Sequence, residues 1–254
     1  MLQALIFDVD GTLADTERDG HRVAFNRAFA EAGLDWHWDV ELYGKLLAIT
    51  GGKERMHYYV ERFRPDFQPP ADFKALVAKL HAAKTRHYTA LLAQGGIPLR
   101  PGVLRLLQAA RAEGLRLAIA TTTTPENVTA LLENTIGAEA ISWFEIIAAG
   151  DVVAAKKPAP DIYLYVLAKM QLKPADCIAF EDSENGIRSA HAAGLKTVIT
   201  INDYTRDHDF RDAVVVLDHM GETQSPCAVL QCGVRDLRMT MLTTESVRRL
   251  HAGN

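Results

Sequence analysis

The sequence predicts an α/β protein: a doubly wound parallel sheet with an all-helical domain inserted after the first strand. Short, nearly continuous apolar segments recur along the chain, as is typical of strands buried on both faces of a parallel sheet. Helical patterns separate these segments, which favours strand–helix–strand units. More than 100 residues separate Asp8 from Leu115, whereas such a unit needs only about 30. We therefore expect an insertion between the first two strands.

Composition excludes several classes of protein. Of the 254 residues, 48% are apolar and 24% are charged, which excludes fibrous, collagen-like and mostly disordered chains. A net charge of −4 provides no positive field for nucleic acid or an anionic membrane. No apolar run approaches the roughly 18 residues that span a bilayer, and Met1 leads into the first strand without a charged leader. Three cysteines without metal-type spacing indicate reduced thiols. We expect a cytoplasmic monomer that binds neither nucleic acid nor membranes.

The first strand, Leu2 to Phe7, ends in the segment Asp8-Val9-Asp10-Gly11-Thr12. Side chains two apart on a strand point the same way, so both carboxylates face the crevice beyond the sheet's carboxyl edge. Such a pair persists only if a cation screens it or one member keeps a proton. Mg²⁺ suits these oxygens, and one carboxylate can attack phosphorus while the other transfers a proton. The alternative is that the two aspartates only cap turns.

The inserted segment, residues 15 to 95, has apolar residues at helical spacing throughout, with glycine and proline at the loops. We predict a helical cap domain at residues 15–95, above a core formed by residues 1–14 and 96–254. Three cap segments carry groups suited to an anion, although solvated helix faces are the alternative for each. The candidate substrate contacts in them are Glu17, His21, Thr50, Gly51, Gly52, Lys53, Arg55, His81 and Lys84.

Polar side chains also follow the later strands. The strand Leu115 to Ala120 ends in Thr121, whose hydroxyl and amide can contact a phosphate, and Thr122 beside it is a further candidate substrate contact. Lys157 precedes a rigid proline turn that opens a helix. Glu181 and Asp182 follow the strand Cys177 to Phe180 and supply oxygens for Mg²⁺. The alternatives are a helix start after Thr121, a solvated lysine pair at Lys156 and Lys157, and a helix N-cap at Asp182 or Ser183. Two more strands are predicted, Thr197 to Ile201 and Val214 to Leu217.

In order, the motifs are DxDGT, a strand-end threonine, KPxPD, and ED after a strand, and this set resembles the haloacid dehalogenase superfamily. The resemblance implies a Rossmann-like core with a helical cap. It implies that Asp8 is the nucleophile, that Asp10 is the general acid and base, and that Thr121 and Lys157 bind the transferred phosphoryl group. It also implies Mg²⁺ held by Asp8, the Asp10 backbone carbonyl and Asp182. An aspartate at position 10 favours phosphate transfer over dehalogenation.

The cap segments Asp15 to Phe29, Tyr43 to Arg55 and Leu80 to Tyr88 resemble those of the CbbY group of Calvin-cycle phosphatases. That resemblance implies hydrolysis of xylulose 1,5-bisphosphate to xylulose 5-phosphate, with one phosphate on the core Mg²⁺ and the other held by Lys53 and Lys84. The alternatives are a β-phosphoglucomutase-type phosphoryl transferase, a broad sugar phosphatase and a non-catalytic binding module. The resemblance does not extend past about residue 222, where the pattern predicts only a helix around Ser246 to His251.

Overall fold

The computed structural model describes residues 1–234 and 239–253 and contains a seven-stranded sheet. Its strands are β1 (Ala4–Phe7), β2 (Arg116–Ala120), β3 (Phe144–Ala148), β4 (Cys177–Glu181), β5 (Lys196–Thr200), β6 (Val215–Leu217) and β7 (Val229–Cys232). They lie in the order β3-β2-β1-β4-β5-β6-β7, with β7 alone antiparallel to its neighbour. Because β1 lies inside the sheet with β2 on one side and β4 on the other, the chain reverses its direction of winding there. The doubly wound parallel sheet is confirmed.

Helices cover both faces of this sheet. Along β1, Leu5 and Phe7 pack into one apolar cluster and Ala4 and Ile6 into another, as the two-residue period of a strand requires. The helices are α1 (Arg22–Glu31), α2 (Val40–Leu46), α3 (Gly52–Phe63), α4 (Phe73–Ala93), α5 (Val103–Ala112), α6 (Pro125–Thr135), α7 (Asp161–Met170), α8 (Glu184–Ala192) and α9 (Thr244–Ala252). The first cluster contains residues of α5, α6 and α9, and the second contains residues of α7 and α8. None of the described helices is both long and apolar enough to cross a bilayer.

Four helices, α1 to α4, lie between β1 and β2 and share an apolar cluster of their own. The fully buried ring of Trp38 lies 4.7 Å from the Phe25 ring and 4.9 Å from the Phe29 ring, centroid to centroid. Toward its end, α4 contributes Tyr88 and Leu92 to the main core cluster. An all-helical cap thus contacts the core through α4, which packs on α6. The exact limits at residues 15 and 95 stay a prediction.

Two strands, β3 and β7, were not predicted from the sequence. Both lie at edges of the sheet, where Glu145 in β3 and Leu230 and Gln231 in β7 are exposed, so neither segment reads as a continuous apolar run. The C-terminal helix was predicted at Ser246 to His251. It begins earlier, at Thr244, because the Thr243 and Ser246 side chains form a reciprocal cap.

Candidate active site

A group of four charged side chains lies where β1 and β4 end. Lys157 Nζ donates to Asp8 Oδ1 at 2.7 Å, to Glu181 Oε1 at 2.6 Å and to the Ala120 carbonyl at 2.9 Å. Asp182 completes the group, and Asp8, Glu181 and Asp182 are buried with oxygens within 4.8 Å of one another. The parallel register pairs Phe7 with Phe180 and so brings the residues that follow β1 and β4 together. The structure therefore unites the predicted catalytic lysine with three of the predicted carboxylates.

Local backbone conformation makes room for this group. Gly11 has φ +85°, and a Cβ at this position would overlap the Asp182 carboxylate and the Asn202 amide. Asn202 Nδ2 donates to Asp182 Oδ2 at 2.7 Å. At the neighbouring helix, Ser183 provides the N-cap of α8, so Glu181 and Asp182 are not used for capping. Likewise Thr124, and not Thr121, caps α6. Thr121 is buried beside the site, and its amide donates to Ala148.

The two aspartates of the first motif have different surroundings. Burial raises the pKa of Asp8 to about 7; Lys157 opposes this increase and the charge of Glu181 adds to it. Burial also acts on Asp10, but His21 and hydrogen bonds from His21 and Thr16 outweigh it and hold the pKa of Asp10 below its usual range. Thr16 Oγ1 and His21 Nε2 lie 2.5 and 2.8 Å from Asp10 Oδ1. Asp10 is therefore held as an anion by residues at the start of the cap.

The three buried carboxylates fit a divalent cation. Burial and the charges of Asp8 and Glu181 raise the pKa of Asp182 well above its usual range. Glu181 Oε2 is buried without a hydrogen-bond partner in the described structure, while Oε1 accepts from Lys157 and Tyr163. One ammonium cannot neutralise three carboxylates, and hard oxygen donors are the ligands that Mg²⁺ prefers. These residues could hold Mg²⁺, which would stabilise Asp8 and Asp182 as anions.

A cavity of about 360 Å³ adjoins this group, and a smaller one of about 40 Å³ lies on its cap side. The main cavity is lined by ten of the predicted site residues, Asp8, Asp10, Glu17, Thr50, Arg55, Thr121, Thr122, Lys157, Glu181 and Asp182. The smaller one is lined by five others, His21, Gly51, Gly52, His81 and Lys84, and shares Asp10, Glu17, Arg55 and Thr122 with the main cavity. Core and cap residues thus line two neighbouring cavities that share four lining residues.

Arg55 and Glu17 are fixed in the cap by Tyr43. The Tyr43 hydroxyl donates to Glu17 Oε2 at 2.5 Å and accepts from Arg55 Nη1 at 2.9 Å. Arg55 Nε also contacts the carbonyls of Leu46 and Ile49. Because these bonds occupy only part of the guanidinium, a buried cation with unused N–H groups faces both cavities.

Lys84 is a buried cation among aromatic rings. Its ammonium lies 5.2 Å from the ring centroids of both Phe25 and Tyr88, and no described carboxylate lies within 4.0 Å of it. Burial lowers the pKa of Lys84 to about 8, although Asp10 and Glu17 oppose this decrease. Burial and the neighbouring lysines lower the pKa of His81 to about 3, so its imidazole is neutral. The predicted pair of anion-binding residues thus consists of one cation and one neutral N–H donor.

The structure does not bring Lys53 into the site. Its ammonium lies 2.7 Å from Asp151, in the loop after β3, and it lines neither cavity. Lys156 lies 3.0 Å from the other oxygen of Asp151 and 3.1 Å from Glu54. These four residues form an ion-pair row of alternating sign between cap and core. Lys53 is thus paired with a core carboxylate in this arrangement, and its contact with the second phosphate stays a prediction.

The hydrogen bond that His21 makes differs from the substrate contact that the sequence predicted. It was predicted to contact substrate, whereas its Nε2 bonds Asp10 and its buried ring packs on Tyr88 with centroids 4.0 Å apart. The ring lines the smaller cavity, but its hydrogen bond is made to the catalytic motif.

Several residues of the site were missed by sequence reasoning. Tyr163, fully buried on α7, donates to Glu181 Oε1 at 2.5 Å. No motif marks this residue, and helical spacing alone does not show whether Tyr163 or Tyr165 faces the sheet. Asn185 Nδ2 contacts the Ala48 carbonyl and Thr50 Oγ1, each at 3.1 Å, and so joins core to cap. Other missed residues on the main cavity are Leu47, Ala48, Ser183, Glu184, Arg188, Asn202, Tyr204, Thr205 and His208.

The parallel sheet, the helical cap and the strand-end carboxylates with their lysine define a phosphatase of the haloacid dehalogenase type. The chain belongs to the haloacid dehalogenase-like hydrolase family, which it matches over residues 2–194. This match and the relatives described next confirm the predicted superfamily and the class of enzyme, a phosphatase.

Among curated proteins, the chain is 55% identical to protein CbbY of Rhodobacter capsulatus, over 84% of this chain and 91% of that one. It is 50% identical to a plasmid-encoded CbbY of Cupriavidus necator, over 89% of this chain and 88% of that one. Among solved structures, a variant of CbbY from Rhodobacter sphaeroides in complex with xylulose 1,5-bisphosphate superposes with a TM-score of 0.81 at 46% identity, over 86% of this chain and 95% of that one. The resemblance to the CbbY group is thereby confirmed.

Proposed function

We propose that the protein is a Mg²⁺-dependent phosphatase that hydrolyses a sugar bisphosphate, xylulose 1,5-bisphosphate, to xylulose 5-phosphate. The observation that carries this proposal is the pairing of two cationic sites on cavities with shared walls: Lys157 among the core carboxylates, and Lys84 with Arg55 in the cap. Two cationic sites suit a substrate with two phosphates. The Rhodobacter sphaeroides complex with xylulose 1,5-bisphosphate supports the choice of sugar.

In the first half-reaction, an Asp8 oxygen attacks phosphorus while the bond from phosphorus to the sugar oxygen breaks. The leaving oxygen takes a proton from Asp10, and the product is an aspartyl phosphate on Asp8. Lys157 and the Thr121 hydroxyl contact the transferred oxygens. Bound Mg²⁺ would supply a charge that neutralises the phosphoryl oxygens and keeps Asp8 ionised.

In the second half-reaction, a water oxygen bonds to phosphorus as the Asp8 oxygen leaves, which regenerates the carboxylate and releases inorganic phosphate. Asp10 takes the proton from this water. Its low pKa in the present arrangement, with His21 and Thr16 bonded to Oδ1, matches the anion that this step needs. In the next cycle the same proton passes to the leaving sugar oxygen.

The second phosphate binds at the smaller cavity. Lys84 and Arg55 supply positive charge there, and neutral His81 supplies a hydrogen-bond donor. Gly51 and Gly52 expose backbone amides at the start of α3, where the helix dipole favours an anion. Because Asp151 already holds Lys53, we assign the second phosphate to Lys84 and not to Lys53.

A phosphate-release screen tests the proposal. The protein is assayed with sugar mono- and bisphosphates, with Mg²⁺ and with excess chelator, and the position of the remaining phosphate is determined by NMR. We expect release from xylulose 1,5-bisphosphate to exceed release from monophosphates by orders of magnitude and to stop in chelator. Equal kcat/KM for mono- and bisphosphates would reject the substrate assignment.

The same assay separates a phosphatase from a phosphoryl transferase. A transferase of the β-phosphoglucomutase type would return the phosphoryl group to a sugar hydroxyl, so that inorganic phosphate would not accumulate. β-Glucose 1-phosphate with its bisphosphate activator is therefore included as a substrate. Conversion to glucose 6-phosphate without phosphate release would support the transferase and contradict the proposal.

A further inference from the structure

Arg100 lies behind the active site, on the segment that leads from the cap back to the core. Its side chain is only 6% exposed. Its backbone amide donates to the Leu13 carbonyl at 2.8 Å, and the neighbouring Leu99 pairs with Ala14. The two segments that connect cap and core therefore run side by side at this residue.

The two Nη atoms of the Arg100 guanidinium donate to four backbone carbonyls. Nη1 contacts the carbonyls of Gly11 and Thr200, and Nη2 contacts those of Ile201 and Asp218. Nε lies 3.3 Å from Asp15 Oδ1. Arginine has five N–H donors in a fixed planar fork, whereas lysine has three on one atom. Only arginine can therefore bond all of these acceptors at once.

Two of the carbonyls that Arg100 bonds, those of Gly11 and Ile201, belong to the segments that hold Asp182. Gly11 packs directly on the Asp182 carboxylate, so closely that a Cβ there would overlap it. Asn202, the next residue after Ile201, donates to Asp182 Oδ2 at 2.7 Å. One guanidinium thus fixes both segments, one on each side of a carboxylate that belongs to the candidate metal site.

We propose that Arg100 is a positioning residue for the metal site: it holds the Gly11 and Asn202 segments so that the Asp182 carboxylate stays in place to bind a divalent cation. This proposal depends on one part of the proposed function, the location of the Mg²⁺ site. It does not depend on the identity of the sugar. Arg100 does not line the main cavity, so it acts through Gly11 and Asn202 and not by contact with substrate.

The test is direct titration of the protein with Mn²⁺, an ion of similar oxygen-ligand chemistry whose free form is measured by electron paramagnetic resonance. No substrate is present, so the result is independent of turnover. We expect Arg100→Gln to weaken Mn²⁺ binding by about 10- to 100-fold, the usual effect of losing a group that orients a metal ligand. Arg100→Lys should weaken it also, because one ammonium cannot span the acceptors.

Arg105 provides a matched control. It also donates to backbone carbonyls, those of Leu242, Met220 and Gly221, but bonds neither Gly11 nor Ile201. Arg105→Gln should lower Tm and leave Mn²⁺ affinity within about twofold of wild type. If Arg100 had a purely structural role, its own variants would also show a lower Tm with unchanged Mn²⁺ affinity.

The proposal is overturned if folded Arg100→Gln or Arg100→Lys protein binds Mn²⁺ as tightly as wild type. If Arg100→Gln does not fold, Arg100→Lys carries the test, and wild-type NMR provides a second measurement. The Arg100 Nε–H resonance should shift on addition of Mg²⁺ and saturate with it; an unchanged resonance contradicts the proposal. If the wild-type protein binds no Mn²⁺, the proposed metal dependence itself fails. If the wild-type protein binds Mn²⁺ but does not hydrolyse xylulose 1,5-bisphosphate, only the substrate assignment is rejected.

Discussion

The Lys157 ammonium lies 2.7 Å from the Asp8 carboxylate, although 149 residues separate them in the sequence. The same ammonium lies 2.6 Å from Glu181, and these neighbouring carboxylates raise the pKa of Lys157 above its usual range despite burial. Lys157 is therefore a permanent cation that is shared between Asp8 and Glu181. A residue that positions Glu181 therefore also positions Lys157.

Tyr163→Phe should lower kcat about tenfold and change KM little. The Tyr163 hydroxyl donates to the same Glu181 oxygen that accepts from Lys157. Without it, the buried Glu181 carboxylate loses one of its two donors, at a cost of about 1–3 kcal/mol in stability, and the lysine shifts toward Glu181. Tyr165→Phe, two residues along the same helix, is the control and should behave as wild type. Unchanged kcat in Tyr163→Phe would show that the hydroxyl has no part in placing Lys157.

Gly11→Ala should reduce phosphate release by at least about a hundredfold, because the added methyl displaces the Asp182 carboxylate. Gly33 is the control, since it has φ +69° and an added Cβ there meets nothing within 4 Å. Both substitutions place alanine at positive φ, which costs about 1–2 kcal/mol. Steady-state kinetics and thermal unfolding should show similar backbone strain in both variants but catalytic loss only in Gly11→Ala. Equal activities would contradict the close packing of Gly11 on Asp182.

Lys84 should give the reaction with the bisphosphate an alkaline limit. Its pKa of about 8 means that it is positively charged below pH 8 and loses its charge above it. We expect kcat/KM for the bisphosphate to fall about tenfold per pH unit above pH 8, as the cation that binds the second phosphate disappears. Lys84→Met should lower kcat/KM by about two orders of magnitude at neutral pH and remove this limit.

The exposed Lys79, on the same helix, is the control for Lys84, and Lys79→Met should keep the wild-type profile. A monophosphate substrate should lack the limit near pH 8 in all three proteins. An unchanged profile in Lys84→Met would contradict the assignment of the second phosphate to this residue.

The ion-pair row of Lys53, Asp151, Lys156 and Glu54 should stabilise the contact between cap and core. Lys53→Met and Asp151→Asn are each expected to raise KM about two- to fivefold, the range for partly exposed ion pairs. The double variant should be no worse than Asp151→Asn alone, since that substitution already removes the Lys53 pair together with the pair between Asp151 and Lys156. Lys45→Met removes an exposed pair with Glu41 elsewhere in the cap and is the control.

A direct contact of Lys53 with substrate predicts a different result. In that case Asp151→Asn would release the lysine and leave KM unchanged or lower it. The sign of the Asp151→Asn effect therefore decides between the two roles of Lys53.

Local sequence was enough to predict the parts of the fold that depend on local pattern. Strands β1, β2, β4 and β5 are buried runs that end in polar residues, so both the sheet and the Asp8, Asp10, Thr121, Lys157 and Asp182 set were predictable. Edge strands β3 and β7 were not, because their exposed residues interrupt the apolar pattern. The ion pair of Lys53 with Asp151 was not predicted, because the two residues are 98 positions apart in sequence. No local signal identifies a pairing of that kind.

Arg100 and Tyr163 were also not predicted as site residues. Each acts on the site through another side chain or through backbone carbonyls, and the sequence around it contains no motif of its own. Their roles follow from long-range contacts: Arg100 reaches residues 89 to 118 positions away. Sequence therefore predicted the residues that we propose carry the chemistry, and the structure showed which other residues contact them.

The most direct test of the central claim is to trap the phosphorylated enzyme. The protein is mixed with xylulose 1,5-bisphosphate and Mg²⁺, quenched in acid during the first turnover, and reduced with borohydride, which converts an aspartyl phosphate to homoserine. Peptide mass spectrometry should then find homoserine at position 8, and none in Asp8→Asn protein. Turnover without modification at Asp8, or modification at another carboxylate, would contradict the account.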